Sequence, residues 1–251
     1  MSLITFITDF GIKDPYVAMV KGVILKINPS VKFIDITNEV APGDLVSASF
    51  ILGETYQYFP PGSVHLVLVD PTVGSKRRAI FSFKDGHFFV GPDNGVLTPG
   101  LSSVFKIKEK IGRKSNTFDG RELFAEVAAR LSLGEKMEIL GEEIKDPVRI
   151  SIPKPKEEKD KIIGEVIYID RFGNLISNIN GDKIKKNMEI EIKGIKIKGL
   201  SKNYSEGKEN ELIALVNDGF RKLEISLNRK SAASFLGVKV GEKIIVRGEN
   251  G

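Results

Sequence analysis

The chain of 251 residues is long enough for one large domain or two modest ones, and 41% hydrophobic residues favour a packed core over disorder. It contains no cysteine, which excludes disulfides, thiolate nucleophiles and cysteine-ligated metals. Residues 1–150 carry 18 basic and 18 acidic side chains, so the net charge of +5 lies in residues 151–251, which carry 20 and 15. Many of these lysines alternate with isoleucine or glutamate, a pattern typical of the exposed faces of strands.

The first residues show no signal peptide, and no apolar run approaches the ~18 residues of a membrane span. We therefore expect a soluble cytoplasmic protein. The enrichment in lysine, isoleucine and glutamate resembles the composition of proteins from heat-adapted organisms.

Strand and helix patterns alternate over the first ~150 residues, which predicts an α/β domain with a mostly parallel sheet. Asp14 is the predicted N-cap of the first helix, Asp44 that of the second, and Gly134 closes the third. The predicted strands are 3–8, 32–37, 64–70, 80–83, 87–90 and 104–107, and the predicted helices are 15–28, 44–59 and 119–133.

A polar, proline-containing segment, residues 153–161, predicts a linker between an N-terminal domain (1–152) and a C-terminal domain (162–251). Short strands replace the strand–helix alternation after it, which predicts a small antiparallel barrel or sandwich. These strands are 162–169, 175–179, 188–192, 212–217, 223–227 and 243–247.

Asp70 follows an apolar run that reads as a buried strand, and a Pro–Gly turn then leads to Arg77 and Arg78. Open α/β sheets bind ligands outside the carboxyl ends of their strands, so this carboxylate and these guanidinium groups are placed for chemistry. A strand end followed by a solvated basic loop explains the same stretch equally well.

Asp9 follows the first predicted strand, where a carboxylate can accept two hydrogen bonds from a ribose diol. The alternative is a turn and helix cap. We favour the ligand role for Asp9 and the cap for Asp14.

Asp119 opens the last helix of the first domain, where free N–H groups favour an anion. An ordinary N-cap, with Glu122 as its capping-box partner, is the stronger interpretation of this segment alone.

The segment Asp170–Asn174 follows the first strand of the second domain. Phe172 can stack on a flat ring, and the amide of Asn174 can pair with an adenine edge. By itself the segment is more typical of a β-turn. His65 and His87 are both expected to be structural, and metal-site and P-loop motifs are absent from the sequence.

Six segments, in the same order, resemble one family: the S-adenosyl-L-methionine (SAM) hydroxide adenosyltransferases, or SAM hydrolases, which are related to fluorinase and chlorinase. Each is weak alone, but six in order over nearly the whole chain are specific. They are ITDFGIKD (7–14), DPTVGSKRR (70–78), GPDNGVL (91–97), TFDGRE (117–122), DRFGN (170–174) and SAA (231–233).

The resemblance implies an N-terminal α/β domain with a mostly parallel central sheet, and a small C-terminal antiparallel β-barrel. It implies a homotrimer whose active sites lie between the first domain of one subunit and the second domain of its neighbour. The implied reaction is the cleavage of SAM by water to adenosine and methionine, with SAM as substrate and no cofactor. Nucleic-acid and membrane partners are not expected, because the basic second domain lacks clustered arginines and a stacking platform.

The resemblance also assigns roles to residues. Asp70 and Arg77 match the catalytic Asp and Arg, whereas Asp119 stands where the family has a His. Either Asp119 takes a modified catalytic role, or activity is weakened, or the protein only binds SAM or adenosine. Thr72 also departs from the usual Gly.

For the substrate, the resemblance places Asp9 at the ribose, Asn174 with Phe172 or Tyr204 at the adenine, and Asp170 at the methionine amino group. Other expected substrate-binding positions are Asp14, Phe118, Asp218, Glu224 and Arg229, the last through main-chain atoms.

Overall fold

The computed structural model describes residues 2–108, 111, 119–185 and 187–248. The chain divides into two compact units, the first ending at Ser151 and the second beginning at Ile152. Among the described residues, none of the helices has the length and apolar character needed to cross a membrane.

In the described residues of the first unit, the structure has a seven-stranded sheet and four α-helices. Its strands are β1 (Leu3–Thr8), β2 (Lys32–Thr37), β3 (Val64–Leu68), β4 (Ala79–Lys84), β5 (His87–Pro92), β6 (Ser103–Ile107) and β7 (Gly141–Ile144). Its helices are α1 (Tyr16–Ile27), α2 (Leu45–Thr55), α3 (Ala125–Ser132) and α4 (Met137–Leu140).

The sheet has the order β2-β1-β3-β5-β4-β6-β7. The pairings β2-β1, β1-β3 and β3-β5 are parallel, and the remaining described pairings are antiparallel. All residues of β1 and β3 are buried, as expected for central strands covered on both faces. The predicted α/β class is therefore confirmed.

Apolar side chains from alternate positions of β1 and β3, such as Phe6 and Leu66, pack with α1 and α3 in the main core. His65 lies in the same strand but points to the opposite face, where its ring contacts Tyr56 just after α2. Helices thus cover both faces of the parallel half of the sheet.

Of the N-caps predicted for α1 and α2, the structure has the one at α2 and not the one at α1. Asp44 caps α2 as predicted, because its Oδ1 accepts a hydrogen bond from the Ser47 N–H at 2.9 Å. The predicted cap of α1 by Asp14 is wrong. Pro15 occupies the cap position, its carbonyl accepts from the Met19 N–H at 2.9 Å, and Asp14 is exposed.

The second unit is built almost entirely of strands, with one short helix, α5 (Ala232–Leu236). Its strands are β8 (Lys156–Glu158), β9 (Lys161–Ile169), β10 (Leu175–Asn180), β11 (Glu189–Ile192), β12 (Ile195–Lys198), β13 (Leu212–Asn217), β14 (Lys222–Leu227) and β15 (Lys243–Arg247).

These strands form an antiparallel sheet in the order β12-β11-β15-β9-β10-β14-β13, with β8 added beside β9. Just beyond β12, the Ser201 N–H donates to the Ala214 carbonyl of β13 at 2.7 Å, so the two edges approach each other and the barrel is nearly closed. The predicted antiparallel barrel is confirmed. The segment expected to be a linker, 153–161, contains β8, whose residues are all exposed.

Candidate active site

In the first unit, two predicted site residues follow neighbouring parallel strands. Asp9 comes directly after β1 and Asp70 lies two residues after β3, and these strands pair with Thr8 opposite Leu68. The two carboxylates therefore lie at the same edge of the sheet. The Gly43 N–H donates to Asp9 Oδ2 at 2.9 Å and holds that side chain at the edge.

The Asp70 carboxylate organises the loop that follows it. Its Oδ1 accepts from the N–H and the hydroxyl of Thr72, at 3.1 and 2.9 Å. Its Oδ2 accepts from Arg77 Nε at 2.8 Å and also from Nη2, so the loop returns the guanidinium to the strand end.

Arg77 joins Asp70 to a second carboxylate, because its Nη2 also donates to Asp119 Oδ2 at 2.8 Å. The three side chains are only 8% (Arg77), 13% (Asp70) and 4% (Asp119) exposed. The guanidinium also lies over the ring of Phe124, 5.4 Å from its centroid. One guanidinium and two carboxylates therefore lie together with little of their side chains exposed.

Asp119 stands at the N-cap position, as predicted, but its side chain makes no capping hydrogen bond. Its backbone is helical, with φ −57° and ψ −29°, and it leads into a π-helical turn, Gly120–Phe124, that continues as α3. The proposed capping-box partner, Glu122, instead accepts from Arg121 Nε at 2.6 Å. The wide turn directs the Asp119 carboxylate to Arg77, and π-helical turns are frequent at functional sites.

The neighbouring Arg78 belongs to a different cluster. Its Nε donates to the buried Asp93 at 2.6 Å and its Nη1 to the exposed Asp146 at 2.8 Å. Arg77 and Asp119 line a cleft of about 600 Å³, whose other lining residues are 75–76, 78–79, 106–108 and Leu123. The solvated basic loop considered for this stretch is thus wrong for Arg77.

In the second unit, the segment 170–174 forms a tight turn around its own carboxylate. Asp170 Oδ1 accepts from the N–H groups of Phe172 and Asn174, both at 2.9 Å, and Oδ2 accepts from Asn174 Nδ2 at 2.9 Å. Gly173 has φ +83°, and a Cβ there would lie 2.0 Å from Ser231 Oγ. Glycine is required at this position, where the segments 170–174 and 231–233 meet.

This turn borders a cavity of about 660 Å³ in the second unit. Phe172 and Tyr204 are 76% and 46% exposed. The residues that line this cavity and were predicted from the sequence are Asp170, Phe172, Asn174, Tyr204 and Arg229. The lining residues that were not predicted are Asn217, Leu227, Lys230 and Ser231. Ser231 could have been predicted, because it begins the segment 231–233 that resembles the family. Asn217 is marked in the sequence only as the last residue of a strand.

Several predicted substrate residues line neither cavity. Asp14 is exposed ahead of α1, and Asp218 is exposed in the turn between β13 and β14. Glu224 is completely buried in β14. Phe118 lies outside the described residues.

Both histidines lie in the interior, as predicted. His65 Nδ1 is 2.8 Å from Thr5 Oγ1, and His65 Nε2 is 3.2 Å from His87 Nδ1. Burial, and to a lesser degree the neighbouring His87, lowers the pKa of His65 to about 3. This pair is therefore neutral at pH 7 and belongs to the core of the sheet.

The chain is similar to curated proteins over nearly its whole length. A curated protein from Methanocaldococcus jannaschii named (R)-S-adenosyl-L-methionine hydrolase is 37% identical over 97% of this chain and 95% of its own length. One of the same name from Thermus thermophilus is 33% identical, covering 96% and 98%. A fluorinase from an Actinoplanes species is 26% identical over 73% of this chain and 74% of its own length.

Among solved structures, the crystal structure of an uncharacterized conserved protein from Thermotoga maritima superposes with a TM-score of 0.89. It is 34% identical, covering 99% of this chain and 100% of that chain. The sequence model of the SAM hydroxide adenosyltransferase N-terminal domain matches residues 4–141, and that of the C-terminal domain matches residues 164–245. With both domain models matched in order, the chain belongs to the SAM hydroxide adenosyltransferase family.

Proposed function

We propose that this protein hydrolyses SAM to adenosine and L-methionine. The observation that carries the proposal is the buried Asp70–Arg77–Asp119 cluster at the carboxyl edge of the sheet. Its occurrence in a chain whose full-length relatives are named SAM hydrolases supports the reaction assigned to it.

The reaction balances with water alone. The oxygen of water forms a bond to ribose C5′ while the bond from C5′ to the sulfonium breaks, and methionine leaves as a neutral thioether. The proton lost by the water passes to a carboxylate and then to solvent. We propose on this basis that the protein needs no resident cofactor.

The attack requires an oriented water, a base and a fixed positive charge, and the cluster has candidates for the last two. In this proposal Asp70 accepts the proton, and Arg77 stabilises the developing hydroxide as a fixed charge. Asp119 shares the guanidinium with Asp70 and so helps to hold it in place. Because a carboxylate repels a halide, Asp70 also favours water over halide as the nucleophile.

Four of the other predicted residues are proposed to bind the rest of the substrate. Asp9 is proposed to accept the ribose hydroxyls. Phe172 and Tyr204 offer ring faces to the adenine, and Asn174, which gives one N–H to Asp170, has a second N–H and an oxygen for the base edge.

We further propose that the protein assembles as a homotrimer, with each site completed by the second unit of a neighbouring subunit. The support for this is the family resemblance and the division of the candidate residues between two compact units.

The proposal is tested by incubating the protein with SAM in ¹⁸O-labelled water, with and without chloride, and separating the products by chromatography coupled to mass spectrometry. We expect adenosine labelled at its 5′-hydroxyl, together with methionine, under both conditions. A chlorinated nucleoside would mean halide transfer. SAM that binds but is not consumed would mean a binding protein without turnover.

A further inference from the structure

Residues 91–97 resemble the family, but the proposed mechanism gives them no role. They adjoin the loop 70–78, which carries two members of the buried cluster. Asn94 Nδ2 donates to the Val69 carbonyl at 3.0 Å, at the residue that precedes the loop. Asn94 Oδ1 accepts from the Val96 N–H at 3.1 Å, so both ends of the amide are engaged. The start of the loop is thereby tied to a neighbouring segment.

The end of the loop is held by Asp93, through both main chain and side chain. The Asp93 N–H donates to the Arg78 carbonyl at 3.0 Å, and Asp93 Oδ2 accepts from Arg78 Nε at 2.6 Å. Asp93 Oδ1 accepts from the Val148 N–H at 2.8 Å. The Asp93 side chain is only 1% exposed, and hydrogen bonds between charged groups are among the strong ones. One buried residue therefore fixes Arg78.

The rest of the Arg78 guanidinium is bound by Asp146. Nη1 donates to Asp146 Oδ1 at 2.8 Å, and Nη2 donates to the Asp146 carbonyl at 2.6 Å. Together with Nε, all three nitrogens of the guanidinium have a partner outside the loop. A planar group engaged in this way has a fixed orientation, whereas a lysine would supply one ammonium group on a flexible stem.

The fixed Arg78 determines where its neighbour Arg77 lies. Residues 71–76 are exposed, so the main chain of Arg77 is located mainly by the residue that follows it. The two guanidinium groups have different partners, and that of Arg77 joins Asp70 to Asp119. A displacement of about 1 Å at a group that acts on the reacting atoms can lower a rate by about 10²-fold.

We propose that Asp93 is a positioning residue for the hydrolysis of SAM: by fixing Arg78, Asp93 sets where Arg77 places its guanidinium in the cluster. The proposal rests on the proposed function and adds a residue to it. In that function Arg77 acts on the developing hydroxide, whereas the residues proposed for the adenine lie in the second unit. Loss of Asp93 should therefore slow the chemical step and leave binding unchanged.

Two variants test the proposal, each compared with the unaltered protein at a temperature at which it is folded. Asp93→Asn keeps the shape and removes the charge, and Arg78→Lys keeps the charge and removes the planar fork. In both, kcat falls about 10–10²-fold, while the KM for SAM and the adenosine affinity measured by calorimetry stay within about two-fold. Arg130→Lys is the matched control and leaves kcat unchanged. Like Arg78, Arg130 has a side chain that is 27% exposed and pairs with two carboxylates.

A second readout separates positioning from a general loss of stability, which would lower activity whether or not Arg77 is present. In Arg77→Ala no guanidinium remains to be placed, so adding Asp93→Asn slows single turnovers of radiolabelled SAM by less than about two-fold. An equal loss in both backgrounds would overturn the positioning role. So would a kcat that is unchanged in both Asp93→Asn and Arg78→Lys, or a rise in KM alone.

A third readout does not depend on turnover. Arg77 Nε donates to Asp70 in a nearly buried site, so its N–H exchanges slowly with water and gives a ¹H–¹⁵N signal, which Arg77→Ala identifies by removing it. Asp93→Asn speeds this exchange and Arg130→Lys does not. An unchanged exchange rate in Asp93→Asn would overturn the positioning role. Failure of the unaltered protein to form adenosine from SAM would instead overturn the proposed function.

Discussion

Arg77 is the residue on which the first-unit cleft depends, because its guanidinium joins carboxylates from two separate segments. Since the three side chains are nearly buried, substitution of one changes the electrostatics of the other two. The variants that test the cluster should therefore keep shape and change charge or proton affinity alone.

Asp70→Asn keeps the shape of the side chain but cannot take a proton at neutral pH. We expect adenosine formation to fall by about 10²–10⁴-fold, the usual loss of a general base, while SAM or adenosine still binds. Turnover is measured by chromatography and binding by calorimetry. Asp35→Asn, in an exposed pair with Lys21, is the matched control. Turnover at the unaltered rate in Asp70→Asn would remove Asp70 from the mechanism.

Asp119, the position at which the family resemblance implies a His, gives a second prediction. Asp119→Asn retains a polar group beside Arg77 but removes a negative charge, so we expect lower turnover and a shifted pH–rate profile. Asp119→His introduces the residue that the resemblance implies and should raise turnover near pH 7, because a neutral imidazole can relay a proton. Adenosine formation at several pH values decides this. A His variant slower than the unaltered protein would show that the carboxylate is adapted to this site.

The site was partly predictable at the level of residues. Asp9 and Asp70 follow apolar strand patterns, and parallel topology brings such strand ends to one edge. The contact between Arg77 and Asp119 spans 42 positions and leaves no local signal. An acid followed three residues later by Glu122 is typical of a capping box. Apart from the family resemblance, it is the hydrogen bond from Arg77 that gives Asp119 a place in the cluster.

At the level of elements, β1, β2 and β13 have the predicted boundaries, because long apolar or alternating patterns with turn residues at both ends define them. The hairpin β11–β12 and the edge strand β8 were less visible. Only residues 193 and 194 separate β12 from β11, and the same alternation with isoleucine runs through both, so the sequence analysis predicts no separate strand there. β8 has the sequence Lys-Glu-Glu, with no apolar residue, and is predicted as part of a linker.

The turn at Gly173 is predicted to tolerate no side chain. Gly173→Ala combines a φ of +83° with a Cβ 2.0 Å from Ser231 Oγ, so it should lower the melting temperature and weaken adenosine binding. Gly194→Ala is the matched control, because Gly194 has φ +77° and open space around the added Cβ. The free energy of unfolding of the control should fall by only about 1 kcal/mol, because of backbone strain. Equal melting temperatures for the two variants would contradict the close approach of the two segments.

The buried His65–His87 pair makes stability depend on pH. Burial lowers the pKa of His65 from its ordinary value of 6.5 to about 3 in the folded protein, so the unfolded chain binds more protons between these values. The contribution of neutral His65 to the free energy of unfolding is fully present above pH 6.5. It falls by up to about 1.4 kcal/mol per pH unit as the pH decreases towards 3. Chemical unfolding at several pH values measures this. His65→Gln should flatten the dependence, and an unchanged slope would exclude His65 as its source.

At the level of the whole molecule, the proposed sharing of sites predicts complementation between two defective chains. Asp70→Asn affects the first unit and Phe172→Ala the second. When the two are co-expressed, random assembly places both intact units together at about a quarter of the sites of a symmetric ring. Adenosine formation at low SAM should therefore exceed that of either variant alone. Activity no higher than the mean of the two would show that each chain completes its own site.

The π-helical turn between Asp119 and α3 has a consequence for how this site can change. Such a turn holds one more residue than a regular helical turn, whereas each residue of an α-helix advances the chain by about 100°. Deleting Arg121 or Glu122, which lie outside the core cluster, would leave Leu123, Phe124 and α3 in register while rotating Asp119 away from Arg77. The chemistry of the cleft can thus be altered by a deletion at one point, without removing a core side chain.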